Sequence, residues 1–76
     1  MKDLISYIVR AIVDNPEQVR ITEVETEHTV LIELRVAESD MGLVIGKQGR
    51  NAQAIRTILS AASGKTRKRY MLEIVE

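Results

Sequence analysis

The stretch of this 76-residue chain whose residue types and spacing could do chemistry is Val44-Ile45-Gly46-Lys47-Gln48-Gly49-Arg50. Two glycines bracket a lysine and a glutamine, an apolar run precedes them, and a helix-forming run follows. Glycine accepts backbone angles that other residues resist and lets another backbone come close. A turn of this kind at the head of a helix points backbone N–H groups and the positive end of the helix dipole at whatever lies in front of it. Lys47 adds an ammonium, Gln48 a neutral amide and Arg50 a guanidinium. A cation at a helix N-terminus opposes the dipole, so Arg50 is better placed for binding than for stability. The ligand that suits this chemistry is a phosphate-bearing backbone.

The charge layout points the same way. The chain holds 11 basic and 11 acidic residues, yet they are segregated. From Met41 to Tyr70 there are seven cations (Lys47, Arg50, Arg56, Lys65, Arg67, Lys68, Arg69) and no acid; Met1 to Asp40 carries nine acids against four cations. Such asymmetry between halves marks a polyanion-binding end. Arg56 reads equally as a contact or as part of a solvated face. Gly64-Lys65-Thr66 imitates the end of a nucleotide-binding P-loop, but the full motif requires a glycine five residues earlier, where Leu59 stands.

Other chemistries find little footing. There is no cysteine to act as nucleophile, disulfide or zinc ligand. His28 is the single histidine, set in a turn among acids without a partner at metal-ligand spacing. The expectation is a non-enzyme with no metal and no cofactor. Glu23, Glu25 and Glu27 alternate at strand spacing and read as a solvent face that would also repel nucleic acid from the wrong side. No apolar run approaches the ~18 residues a membrane span needs, and Met1-Lys2-Asp3-Leu4 does not resemble a signal peptide. The chain reads as one cytoplasmic domain, 1–76, with a small core.

Periodicity supplies the elements that must position the glycine turn. Residues 3–14 have apolar residues at helical spacing, Leu4, Ile8, Ala11 and Ile12 with Ile5 beside them, and Asn15-Pro16 ends the helix. Residues 19–26 form a β-branched strand whose alternation slips between Ile21 and Val24, where a bulge fits. After a turn at 26–29, Val30, Ile32, Leu34 and Val36 alternate as a second strand. Ser39 or Asp40 caps a short helix to Ile45. A second helix spans 50–63, with Ala52, Ile55, Leu59 and Ala62 inward, Ile58 at the edge and Gly64 at the C′ position. Lys65 to Lys68 are a basic loop, and 69–75 a last strand with Tyr70, Leu72 and Ile74 on one face. The fold class is α+β in the order αββααβ: an antiparallel hairpin, then a helical crossover that pairs the last strand parallel to the second. This gives a mixed three-stranded sheet with helices on one face.

Two short helices joined by Gly-x-x-Gly within this order resemble a type II KH domain, the bacterial arrangement. The family pattern of two aliphatics, Gly-x-x-Gly and a following aliphatic is met by Val44-Ile45-Gly46-Lys47-Gln48-Gly49 and Ile55, with Gly42 also fitting. Over the whole chain the resemblance is to the small, stand-alone, single-domain bacterial members. It implies a clamp for about four nucleotides, with the glycine loop holding the sugar-phosphate backbone. The implied RNA-binding set is Gly42, Ile45, Gly46, Lys47, Gln48, Gly49, Arg50 and Arg56, with Lys65, Arg67, Lys68 and Arg69 as a variable loop bordering the groove from the other side, unless that loop is only a charged surface. Base contacts would come from Ile45, Val36 and Ala52. Ala52 replaces a larger aliphatic, which would widen the groove or loosen the packing beneath it. No aromatic interleaves the cations, so little base stacking is expected, and Tyr7 and Tyr70 read as core or rim residues.

The function expected is a single-stranded RNA-binding protein, a post-transcriptional regulator or RNA chaperone. The alternative is a dimerising interaction subunit for which RNA contact is secondary. The resemblance implies self-association and pairing with a larger KH-containing protein of the Jag (KhpB) type. Ala54, Ile58 and Ala61 widen the apolar arc of the second long helix and form the expected homodimer patch. Single-stranded DNA stays open as a further ligand.

Overall fold

A computed structural model describes residues 1–75. Its elements are α1 (Lys2–Ile12), β1 (Arg20–Glu25), β2 (Thr29–Arg35), α2 (Met41–Ile45), α3 (Arg50–Thr66) and β3 (Arg69–Val75), with one-turn 3-10 segments at Pro16–Gln18, Glu38–Asp40 and Lys47–Gly49. The sheet order is β1-β2-β3, with β1 antiparallel and β3 parallel to the central β2. This is the expected α+β architecture. Among the described residues no helix is long and apolar enough to cross a membrane.

The core forms where the alternation of β2 meets the helices. Val30, Ile32 and Leu34 are buried together with Ile5 and Val9 of α1, Val44 of α2, and Ile55 and Leu59 of α3. Tyr70, Leu72 and Ile74 of β3 pack against them partly buried. Each such aliphatic contributes about 1.5–3 kcal/mol when fully buried.

Four expectations need correction. First, α1 buries Ile5 and Val9, with Val13 just beyond its end, while Leu4 is exposed and Ala11 is on the solvent side. The buried face is rotated by one residue from the arc read in the sequence, and Tyr7 points to solvent as neither core nor rim. Second, β1 carries no bulge. Its ladder with β2 runs unbroken from Arg20 opposite Arg35 to Glu25 opposite Val30. Directly opposed residues project on the same side, so Val24, Leu31 and Met71 form a row across the open face, and the apparent slip is Val24 facing outward.

Third, α3 continues through Gly64 to Thr66. The residue that ends it in the left-handed region is Arg67 (φ 61°), whose N–H donates to the Ser63 carbonyl at 3.2 Å. Fourth, neither Ser39 nor Asp40 caps α2. Asp40 is buried and serves a different contact: its carboxylate accepts from the N–H groups of Asp14 (3.3 Å) and Asn15 (3.0 Å) and from the Asn15 side-chain amide (3.1 Å). It thereby holds the segment after α1 against the start of α2.

Candidate functional site

The turn from Gly46 to Gly49 joins α2 to α3, and its backbone angles explain the glycines. Gly46 has φ 78° and ψ 169°, a region essentially reserved for glycine. A Cβ there would lie 2.8 Å from the Asn51 backbone nitrogen and 2.7 Å from its Cγ. Gly46 is therefore required for packing against α3. Gly49 lies in the left-handed region (φ 73°, ψ 14°), and a Cβ there would meet nothing within 4 Å. Its bare side faces open space, where a ligand can approach. Between them Gln48 is also left-handed (φ 58°), an uncommon state for a residue with a side chain.

Asn51 is the residue that sequence reasoning missed here. Its side-chain amide donates to the Leu43 carbonyl at 2.8 Å, tying the first turn of α3 back to α2. With Gly49 N–H donating to the Gly46 carbonyl at 3.0 Å, the turn is held from both ends. A side-chain bond to a carbonyl eight positions away leaves no spacing signal in a sequence. Around this turn Lys47, Gln48 and Arg50 are exposed, so two cations and an amide flank it on the solvent side.

Two cavities are lined by expected site residues. One of about 520 Å³ is lined by Val36, Glu38, Met41 and Ile45. It brings together two of the three expected base-contact residues, Val36 and Ile45, and adds Met41 and an acid. The third, Ala52, is buried in the core and does not line it. Gly42 of the same helix is exposed, with open space where a Cβ would be. The second cavity, about 250 Å³, is lined by Arg56, Leu59, Arg69, Tyr70, Met71 and Leu72. It brings Arg56 of α3 and Arg69 of β3 to one opening.

The basic segment is distributed differently from a single loop. Lys65 is in the last turn of α3, only Arg67 and Lys68 lie between elements, and Arg69 begins β3. Lys68 forms an ion pair with Glu25 and donates to the Thr26 carbonyl, so its charge is partly committed to the β1–β2 hairpin. Arg69 N–H donates to the His28 carbonyl at 2.9 Å, and His28 itself is exposed. A helix rises 1.5 Å per residue, so the 17 residues of α3 set this cluster about 25 Å along the helix from the glycine turn. On the same helix Ala54 and Ala61 are exposed and Ile58 is half-buried, whereas Ala52, Ile55 and Leu59 face the core and Ala62 is half-buried.

The family model described as KhpA/KhpB, KH domain, matches residues 2–74. A protein of Aquifex aeolicus named RNA-binding protein KhpA is 53% identical over 76 residues, covering 100% of this chain and 96% of that protein. The protein of the same name from Caldanaerobacter subterraneus subsp. tengcongensis is 51% identical over 75 residues, covering 99% of this chain and 100% of its own. That of Chlamydia pneumoniae is 47% identical over 76 residues, with 100% and 97% covered. No solved structure matches the chain.

Proposed function

The chain belongs to the KhpA/KhpB family of KH domains, and on that footing we propose that it is a cytoplasmic protein that binds single-stranded RNA and acts as a post-transcriptional regulator or RNA chaperone. It is a binding domain and not an enzyme. The sugar-phosphate backbone rests on Gly46-Lys47-Gln48-Gly49, with the ammonium of Lys47 and the guanidinium of Arg50 neutralising phosphates. Bases turn toward the cavity at Ile45 and Val36, and Arg56 of α3 with Arg69 of β3 continues the positive track. The observation that carries this reading is the glycine turn: positive φ at Gly46, Gln48 and Gly49 shapes it, the bare side of Gly49 meets open space, and Lys47 and Arg50 are exposed beside it.

The test is Lys47→Asp combined with Gln48→Asp. Both side chains are exposed, so the melting curve should not move, while two carboxylates stand where phosphates would sit. Binding of a short single-stranded RNA, followed by fluorescence anisotropy, should be lost. Unchanged affinity with an unchanged melting curve would sink the clamp. A single-stranded DNA of the same sequence, run in parallel, decides whether the 2′-hydroxyl is recognised.

A second reading is an interaction subunit, a homodimer or the partner of a larger KH-containing protein of the Jag (KhpB) type. What favours keeping it is the exposed Ala54 and Ala61 beside half-buried Ile58, which leave an apolar strip on α3 with small residues that let a second helix come close.

A further inference from the structure

The cavity beside the glycine turn contains a charge of the wrong sign for a phosphate site. From Met41 to Tyr70 the chain has no acid, yet Glu38 lines the 520 Å³ cavity with Val36, Met41 and Ile45. Asp40, two residues on, is consumed by three donors from Asp14 and Asn15. Glu38 is exposed, and among the described residues the one ion pair joins Lys68 to Glu25, so the Glu38 carboxylate is uncommitted. A free acid here weakens attraction for any polyanion, at a range where the field is only partly screened. That cost is offset if the carboxylate contacts something other than phosphate.

We propose that Glu38 is a base-selecting residue, which accepts hydrogen bonds from the Watson–Crick edge of a guanine seated in this cavity. The proposal rests on the RNA-binding reading and names the base which that site prefers. The cavity size falls within the range of small-molecule sites, about 300–1,000 Å³. Ile45 immediately precedes Gly46, so a nucleotide whose phosphate rests on the turn has its base beside Ile45. Single-stranded RNA is read through splayed bases, hydrogen-bonded on their Watson–Crick edges. An ionised carboxylate is an acceptor only, with two oxygens side by side. Guanine presents two adjacent donors on that edge, N1–H and the N2 amine, which match those oxygens one to one. Adenine and cytosine each offer an amine next to a ring-nitrogen acceptor that repels the second oxygen. Uracil offers one N3–H flanked by two carbonyls. Guanine is therefore the one base that satisfies both oxygens without a repulsive contact, while Val36, Met41 and Ile45 cover its faces.

The experiment measures binding of fluorescein-labelled U6 and of six variants with a single guanine moved along the strand, to the wild-type chain and to Glu38→Gln. The amide keeps the shape of the carboxylate but replaces one acceptor with a donor. A good bidentate base contact is worth a factor of roughly five to 150, and the exposed setting of Glu38 places this one at the lower end, about five- to tenfold. Wild type should favour guanine by that factor at one strand position. Glu38→Gln should bring the ratio close to one while binding U6 as well as wild type or better, having shed a negative charge. If wild type binds all seven strands alike, or if Glu38→Gln retains the guanine preference, the assignment is overturned and the clamp stands. If wild type binds none of them, the RNA-binding reading itself falls, and this assignment with it.

Discussion

The two glycines of the turn should behave differently when each is replaced by alanine. At Gly46 the backbone lies at φ 78° and ψ 169°, where a residue with a Cβ is strained by about 1–3 kcal/mol. The new methyl would also stand 2.8 Å from the Asn51 backbone nitrogen and 2.9 Å from its Cβ. Neither is the free end of a flexible side chain, so α3 must shift. That shift endangers the Asn51–Leu43 hydrogen bond, worth about 1 kcal/mol. Together these put Gly46→Ala near 3 kcal/mol of lost stability, a fall of about 12–24 °C at 4–8 °C per kcal/mol for a domain of this size.

At Gly49 the left-handed conformation costs alanine about 1–2 kcal/mol, of which about 0.4–1 is returned by the stiffer unfolded chain. No atom lies within 4 Å of the added methyl. Gly49→Ala should therefore lower the midpoint by no more than about 13 °C, and by only a few degrees at the centre of these ranges, and instead weaken RNA binding, because the methyl occupies the open side of the turn. Differential scanning calorimetry and anisotropy titration on the same preparations read the two effects. Equal melting points for the two variants, or a Gly49→Ala protein with wild-type affinity, would refute the division of labour between a packing glycine and an approach glycine.

Three further outcomes are expected. For Arg67→Ala with Lys68→Ala, the logarithm of RNA affinity against the logarithm of salt should flatten by about 0.7 for each phosphate that the variant no longer neutralises; an identical slope in wild type and variant means that the end of α3 is solvated surface only. Ala61→Arg places a long cation on the exposed strip of α3, so light scattering after gel filtration should show a dimer in wild type and a monomer in the variant. A wild-type monomer at high concentration, or a dimer indifferent to the substitution, excludes this interface without touching the clamp. Asp40→Ala leaves three N–H donors without their acceptor, and with charge-assisted bonds worth about 1.5–3 kcal/mol each but shared here by one group, a loss of about 3 kcal/mol is expected. A chemical-denaturation midpoint unmoved by this change would show that the joint between α1 and α2 contributes nothing.

The order of elements and the central strand are legible because β2 is buried on one side only, so Val30, Ile32 and Leu34 recur at every second position, with Leu31 the one apolar residue between them. The face of α1 is not, for a definite reason. Leu4, Ile5, Ile8, Val9, Ala11, Ile12 and Val13 make more than half of that segment apolar, and two overlapping arcs satisfy helical spacing equally. What selects Ile5 and Val9 is tertiary, the packing on β2 and the tether from Asp40 to the segment after the helix. Val24 misleads in a related way. A bulge follows only if a strand must have a single apolar face, but β1 is an edge strand whose open face tolerates a valine opposite Leu31. Gly64 carries the usual signal for a helix end and is overridden, because Ser63 accepts from Tyr70 N–H through its Oγ at 2.9 Å and from Arg67 N–H through its carbonyl. The glycine turn is readable since its requirement is local backbone geometry. Asn51 and Asp40 are not, since each acts through a partner whose position only the fold defines.

The segregation of charge along the chain becomes a segregation in space through the sheet order. The acid-rich half builds α1, β1 and β2, and the cation-rich stretch builds α2, α3 and the start of β3. With β2 central, Glu23 and Glu25 of β1 occupy one edge and Arg69 of β3 begins the other. A strand of phosphates approaching the β1 edge meets carboxylates; approaching along α3 it meets Arg50, Arg56 and Lys65. Such a field guides a polyanion to one side and turns it from the other, even though the formal net charge is zero. The Lys68–Glu25 pair closes the boundary at the hairpin end of the sheet. Glu38 lines the cavity beside the glycine turn, on the cationic side of this division, and the proposed contact with a base would turn that misplaced charge into a selecting one.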